Sequence, residues 1–216
     1  MMVRNAQRNN NNEIRMLLSA LGLYPGLYTR TAPLSATATE PPDGLQRTAP
    51  GGASPAPDSY RWILATEQPA PVFDWARQAV VQEILQLDGI TTVARQIPLL
   101  DSHNRRSAAD LIGSVEVTPG SLITAGAYRA LPGTVRFSEA SELARETRKK
   151  VAEGHLTDGS IGYRVLDSVW IPAGDTVRVN GREYTGPLKV STRAQIMEFS
   201  ITPIGADTLA KISTAP

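Results

Sequence analysis

The chain has 216 residues, a formal net charge of +1 and no cysteine. That length suits one domain of ordinary size plus a tail, and such a domain can bury a real core. The near-neutral balance creates no field favouring nucleic acid or an anionic membrane, and the missing thiols exclude disulfides, thiolate catalysis and cysteine-based zinc sites.

From the N-terminus, "MMVRNAQRNNNNEIRMLLSALGLYPG" holds a short apolar patch, Met16 to Leu23. It reads as a weak helix: it falls short of the roughly 20 apolar residues of a membrane span and lacks a small-residue cleavage site. Residues 24–58 are rich in Pro, Gly, Ser, Thr and Ala, so 1–58 is expected to be a disordered leader and 59–212 the folded domain.

"YRWILAT" (60–66) is dominated by aromatic and β-branched residues and predicts a strand. "DWARQAVVQEILQLDG" (74–89) predicts a helix, with Ala76, Val80, Ile84 and Leu87 at helical spacing, Asp74 as its cap and Gly89 at its end. "VARQIPLL" (93–100) is extended, and Pro98 places it at a sheet edge or strand end. Two short strands, 111–117 and 121–126, flank a Pro119-Gly120 turn. "SEASELARETRKKVAEG" (138–154) is the best-marked helix: Ser138 is its expected cap, Arg148, Lys149 and Lys150 approach its end and Gly154 stops it. Acidic residues balance that basic run, which reads as a solvated face.

Beyond Gly154 everything reads as β. Residues 160–171 alternate, with Ile161, Tyr163 and Val165 on one face and Ser160, Gly162 and Arg164 on the other. "TVRVNGREYT" is a hairpin about a two-residue Asn180-Gly181 turn. "LKVST" and "QIMEFSITP" add two strands, the latter with Met197, Phe199 and Ile201 on one face and Glu198 with Ser200 on the other. The fold class is α+β, mainly antiparallel β, as a small barrel or sheet.

Three segments each carry a side chain of catalytic type. These are "IPLLDSHNRR" with His103, "DGSIGYRV" with Ser160, and "QIMEFSITPIGAD" with Glu198. A serine hydroxyl needs a base to become a nucleophile, an imidazole suits that role near neutral pH, and a carboxylate orients the imidazole. Read singly, such residues are usually a turn serine, a surface or packed histidine and a solvated glutamate. With only two histidines in the chain, a histidine base is His103 or His155. Position 158 is Asp and no βαβ alternation surrounds Ser160, so this is not the Gly-x-Ser-x-Gly elbow.

"PLLDSH" followed by "IGSVEV", "DGSIGYRV" after a charged helix, and "MEFSITPIGAD" near the end occur in an order that resembles the prohead serine proteases of tailed bacteriophages, distantly similar to the herpesvirus assemblins. The resemblance runs from about residue 60 to 210. It implies a small β-barrel flanked by helices, His103 as general base, Ser160 as nucleophile forming an acyl-enzyme, and Glu198 as third member, with Asp167, Asp175 and Asp207 as alternatives. It implies no metal or cofactor; the near-neutral charge and the lack of a long apolar run point to no nucleic acid and no membrane as partners. The implied substrates are the phage major capsid and scaffold proteins and the chain itself, cut in the host cytoplasm inside the immature prohead, with self-association left open. His155 has no catalytic counterpart in that pattern and reads as a loop residue. The oxyanion donors are expected in backbone near Ser160–Gly162, with Arg164 as an electrostatic helper or a plain surface charge. The same fold without catalysis, as a structural relative of the prohead core, is the alternative.

Overall fold

A computed structural model of the chain describes residues 28–29 and 59–213. The expected N-terminal helix, and all of the expected leader except Tyr28, Thr29 and its boundary, lie outside the described residues. In chain order the strands are β1 (Tyr28–Thr29), β2 (Tyr60–Thr66), β3 (Ala70–Asp74), β4 (Ala79–Leu85), β5 (Ile90–Thr92), β6 (Gln96–Asp101), β7 (Leu111–Val117), β8 (Ile123–Ala125) and β9 (Tyr128–Phe137). Helix α1 (Glu142–Ala152) follows, then β10 (Asp158–Ile171), β11 (Thr176–Val179), β12 (Arg182–Thr185) and β13 (Leu188–Thr202).

The fold is mainly β, as expected, built on a curled sheet of order β1-β10-β13-β6-β7-β9-β2. Its spine is β13, 15 residues long. One edge of β13 pairs antiparallel with β10 along its length. The other takes β4, β5 and β6 in succession, all parallel, so the sheet is mixed. The C-terminal segment closes the seam. Ile63 N–H donates to Lys211 O and Ser213 N–H to Arg61 O on one side; Gly159 N–H donates to Ala210 O and Ile212 N–H to Thr157 O on the other. Trp62 and Phe199 pack edge-on at 5.8 Å inside the curl, with Leu64, Leu99, Val115 and Ile161 fully buried around them. Burying each such side chain contributes about 1.5–3 kcal/mol. Among the described residues no helix is long and apolar enough to cross a membrane.

Four local expectations need correction. Residues 74–89 form no α-helix; they are the β3–β4 hairpin and a short 3-10 turn. Asp74 does accept the backbone N–H of Arg77 at 2.9 Å, the bond a helix cap would make. Gln78 then takes a positive φ of 52° and the chain reverses into β-branched Val80 and Val81. Ala76 and Val80, two members of the expected apolar stripe, are exposed. Second, α1 starts later than expected: Ser141, not Ser138, caps it by accepting from Ala144 N–H at 3.0 Å. It buries Ala144, Thr147 and Val151 at helical spacing, and it is the one α-helix among the described residues, so the core is not flanked by several. Third, Pro98 sits inside the sheet, in a strand paired on both sides. It is tolerated because the pairing of β6 with β13 begins only at Leu99.

Fourth, the β10–β13 ladder shifts register between Gly162 and Tyr163, where Glu198 faces Gly162 but Ile196 faces Tyr163. Met197 is the extra residue. Such a bulge breaks the two-residue alternation, so Ile196 joins Phe199 and Ile201 in the core and Met197 does not.

Candidate active site

The site is assembled where β6 ends beside β13. Asp101 lies opposite Ile201 in the parallel pair, and the chain then turns through two left-handed residues, Ser102 (φ 49°) and His103 (φ 62°). Positive φ is unfavourable for residues with a Cβ and persists only where the surroundings fix it. Here three bonds fix it. Ser102 N–H donates to Ile201 O at 3.0 Å, Asn104 N–H to Asp101 O at 2.8 Å, and His103 N–H to Ser200 Oγ at 3.0 Å.

That turn places the His103 ring on Glu198. Nδ1–H donates to Glu198 Oε1 at 2.8 Å, with both side chains almost wholly buried. Arg105 Nη2 donates to the same oxygen at 2.6 Å, and Ser200 Oγ–H donates to Glu198 Oε2 at 2.8 Å. Burial pushes the Glu198 carboxyl up, but the charges of His103 and Arg105 and their hydrogen bonds outweigh it and hold the carboxyl below its ordinary value. Glu198 therefore stays an anion and keeps the imidazole proton on Nδ1. The other ring nitrogen, Nε2, is buried and makes no hydrogen bond.

Ser160 belongs to the neighbouring strand. It faces Ser200 in the antiparallel register, and Gly162 faces Glu198. Directly opposed residues carry side chains on one face, with Cβ atoms about 4.5–5.5 Å apart, so Ser160 shares a face with Glu198 and Ser200; it is 2% exposed. Both neighbouring glycines answer a steric need. A Cβ at Gly159 would overlap the Phe199 ring, and one at Gly162 would overlap Glu198 Oε1 and Arg105 Nη2.

His103, Ser160 and Glu198 are thus brought to one face of adjoining strands. The alternatives are not there. Asp167 and Asp175 are exposed, and Asp207 is buried against Thr66, whose backbone N–H it accepts at 2.7 Å. His155 is exposed, 3.8 Å from Glu153. Arg164 is exposed opposite Gln195. The cation on the carboxylate is Arg105, which the sequence reading passed over although it stands two positions after His103. Ser200 was placed on the right face without a role. Among the described residues no group of three or more His, Asp or Glu could hold a metal ion.

Chemically, the arrangement offers a buried base with a fixed tautomer and a serine on the adjoining strand. No protein-family profile, curated protein or solved structure matches the chain.

Proposed function

We propose that the chain is a serine endopeptidase with Ser160 as nucleophile, His103 as general base and Glu198 as the orienting carboxylate. The observation that carries this reading is the Nδ1–Glu198 bond, which leaves the opposite ring nitrogen of His103 buried and without a partner. A histidine so held is ready to take a proton at Nε2.

In the reaction the Ser160 hydroxyl proton passes to His103 Nε2 as Oγ bonds to the scissile carbonyl carbon. Glu198, held anionic, stabilises the imidazolium. The tetrahedral adduct collapses, the C–N bond breaks, and the amine leaves with the proton from Nε2. Water then repeats the sequence to release the acyl group and restore Ser160.

The finer reading is a capsid-maturation protease of a tailed bacteriophage with an assemblin-like fold, cutting capsid and scaffold segments in the prohead. It is supported by the order of the three sequence segments, and the proximity of two of their side chains, His103 and Glu198, is in keeping with it. The test is co-expression with the phage capsid and scaffold proteins, followed by intact mass. Wild type is expected to shorten one or both partners and Ser160→Ala to leave them whole. Identical, uncut partners with both forms would sink the reading in favour of a structural relative.

A further inference from the structure

Ser200 stands in the middle of the site and takes no part in the proton transfers described above. In the sheet it lies opposite Ser160 of β10 and beside Leu100 of β6. Its main chain is therefore held from both sides, and the residue is wholly buried. A hydroxyl has one proton to give and lone pairs to accept with. Ser200 uses both. Oγ–H donates to Glu198 Oε2 at 2.8 Å, and Oγ accepts the main-chain N–H of His103 at 3.0 Å. The directions are fixed, since a carboxylate anion only accepts and an amide N–H only donates.

The same histidine reaches the same carboxylate a second time. Its ring Nδ1–H donates to Glu198 Oε1 at 2.8 Å. The three bonds close a ring that runs from the His103 main chain through the Ser200 hydroxyl and the Glu198 carboxylate to the His103 imidazole. The base is thus fixed at two points, main chain and side chain, against one carboxylate. His103 needs such fixing, because its φ of 62° is a conformation that a residue with a Cβ keeps only where its surroundings impose it. Arg105 bonds to Oε1 as well, so the donor on Oε2 is Ser200.

We infer that Ser200 is a positioning residue: its hydroxyl ties the main chain of His103 to the carboxylate that holds the His103 ring, and so sets where Nε2 stands. The two serines on this face then have separate duties. Ser160 is the proposed nucleophile, whereas the Ser200 proton is committed to Glu198 and its oxygen to a main-chain amide. That the ring serves catalysis rests on the endopeptidase reading; the ring itself does not.

The test compares full-length wild type, Ser160→Ala, Ser200→Ala and Ser200→Cys, each shown to be folded by near-ultraviolet circular dichroism. The first readout is the His103 Nδ1–H proton, followed by NMR with isotope-labelled histidine. The chain has two histidines, and the other, His155, is exposed, so its ring protons exchange with water. A downfield, slowly exchanging signal is expected in wild type and in Ser160→Ala, which lies on the same face but outside the ring. It should be lost or moved upfield in Ser200→Ala. Ser200→Cys nearly keeps the volume but has a weak donor and acceptor, so it should fall between, and it carries the test if the alanine variant does not fold. No signal in wild type, an unchanged signal in the Ser200 variants, or equal loss in Ser160→Ala overturns the inference.

The second readout is covalent labelling by a fluorophosphonate, which needs no known substrate. The reagent should mark Ser160 and not Ser200. Ser200→Ala should slow the labelling step about 10²-fold, as a misplacement of about 1 Å does, with the half-saturating concentration within about twofold of wild type. Equal labelling rates, or reagent found on Ser200, overturn the inference. If wild type is not labelled while the ring proton responds as expected, the ring stands and the endopeptidase reading falls.

Discussion

Strand β13 carries a buried polar cluster near each end, and the two differ in how fully their atoms are paired. Near its start, Lys189 Nζ lies 3.4 Å from Asp74 Oδ2 and 3.5 Å from Glu83 Oε1. Ser191 Oγ–H donates to Glu83 Oε1 at 2.5 Å, and Tyr163 O–H donates to Glu83 Oε2. None of these side chains has a buried atom left over. Near the other end, around Glu198, His103 Nε2 and Arg105 Nε and Nη1 are all left over. A buried polar atom without a partner costs about 1–3 kcal/mol, so a fold retains three together only where something else uses them. The closed cluster pins β4 to β13 and to β10; the open one holds the residues of the proposed chemistry.

The largest expected effect separates the two clusters by function. Glu198→Gln keeps the shape of the side chain but removes the charge that supports a protonated His103. It should lower kcat/KM for peptide cleavage about 10³- to 10⁴-fold. Lys189→Met should leave kcat/KM of the folded enzyme unchanged. Steady-state kinetics on both, normalised to folded protein, check this; equal losses would erase the distinction.

Stability should respond the other way. Lys189→Met takes from Glu83 the cation 3.5 Å away and leaves Asp74 only the half-exposed Arg77, whose Nη1 lies 3.6 Å from its Oδ2. Breaking one partner of such a set costs about 3–5 kcal/mol. Urea unfolding is the measurement, and a loss below about 1 kcal/mol would mean that the cluster behaves as a solvated pair.

Which cluster could be read in the sequence follows from what each depends on. His103, Ser160 and Glu198 were singled out by the order of three segments that resembles the prohead proteases. The period of two placed Ser160 and Glu198 on polar faces and an apolar strand led into His103, patterns too weak singly to assign a role. Glu83 and Lys189 were not singled out. Glu83 lay inside a supposed helix, since Ala76, Val80, Ile84 and Leu87 mimic helical spacing by chance and the Asp74–Arg77 bond serves a turn as well as a cap. Lys189 finds its partners only through the parallel pairing of β4 with β13, a long-range register that no local pattern encodes. Arg105 was hidden for the same reason: its partner, Glu198, comes to it only through the parallel pairing of β6 with β13. The bulge at Met197 was equally silent, because an extra residue looks like any other until its partner strand is known.

A smaller effect is expected at Gly162, where Glu198 and Arg105 crowd the backbone. The Cβ of Gly162→Ala overlaps Glu198 Oε1 and Arg105 Nη2 and must displace one or both. A misplacement of that order costs about 10²-fold in rate. The measurement is kcat/KM alongside hydrogen exchange of β10. A mutant with wild-type rate would show that the carboxylate position is not critical.

The smallest effect is in the acid stability of the two ends, and its sign is fixed by Glu198. Its carboxyl is held below its ordinary value of 4.5, so the folded state binds that proton more weakly than the unfolded chain does. The resulting stabilisation is fully present above the ordinary value and is lost as pH falls through the lowered native one. Glu198→Gln has no such proton to bind. Unfolding free energies of the two forms, measured by urea from about pH 5 downward, where imidazole is already charged in the unfolded chain, should therefore converge as the pH falls. Parallel curves would mean that His103 and Arg105 do not hold the carboxylate. Any acid loss would then have to come from other carboxyls, and the open cluster would lose the electrostatic asymmetry that sets it apart from the closed one.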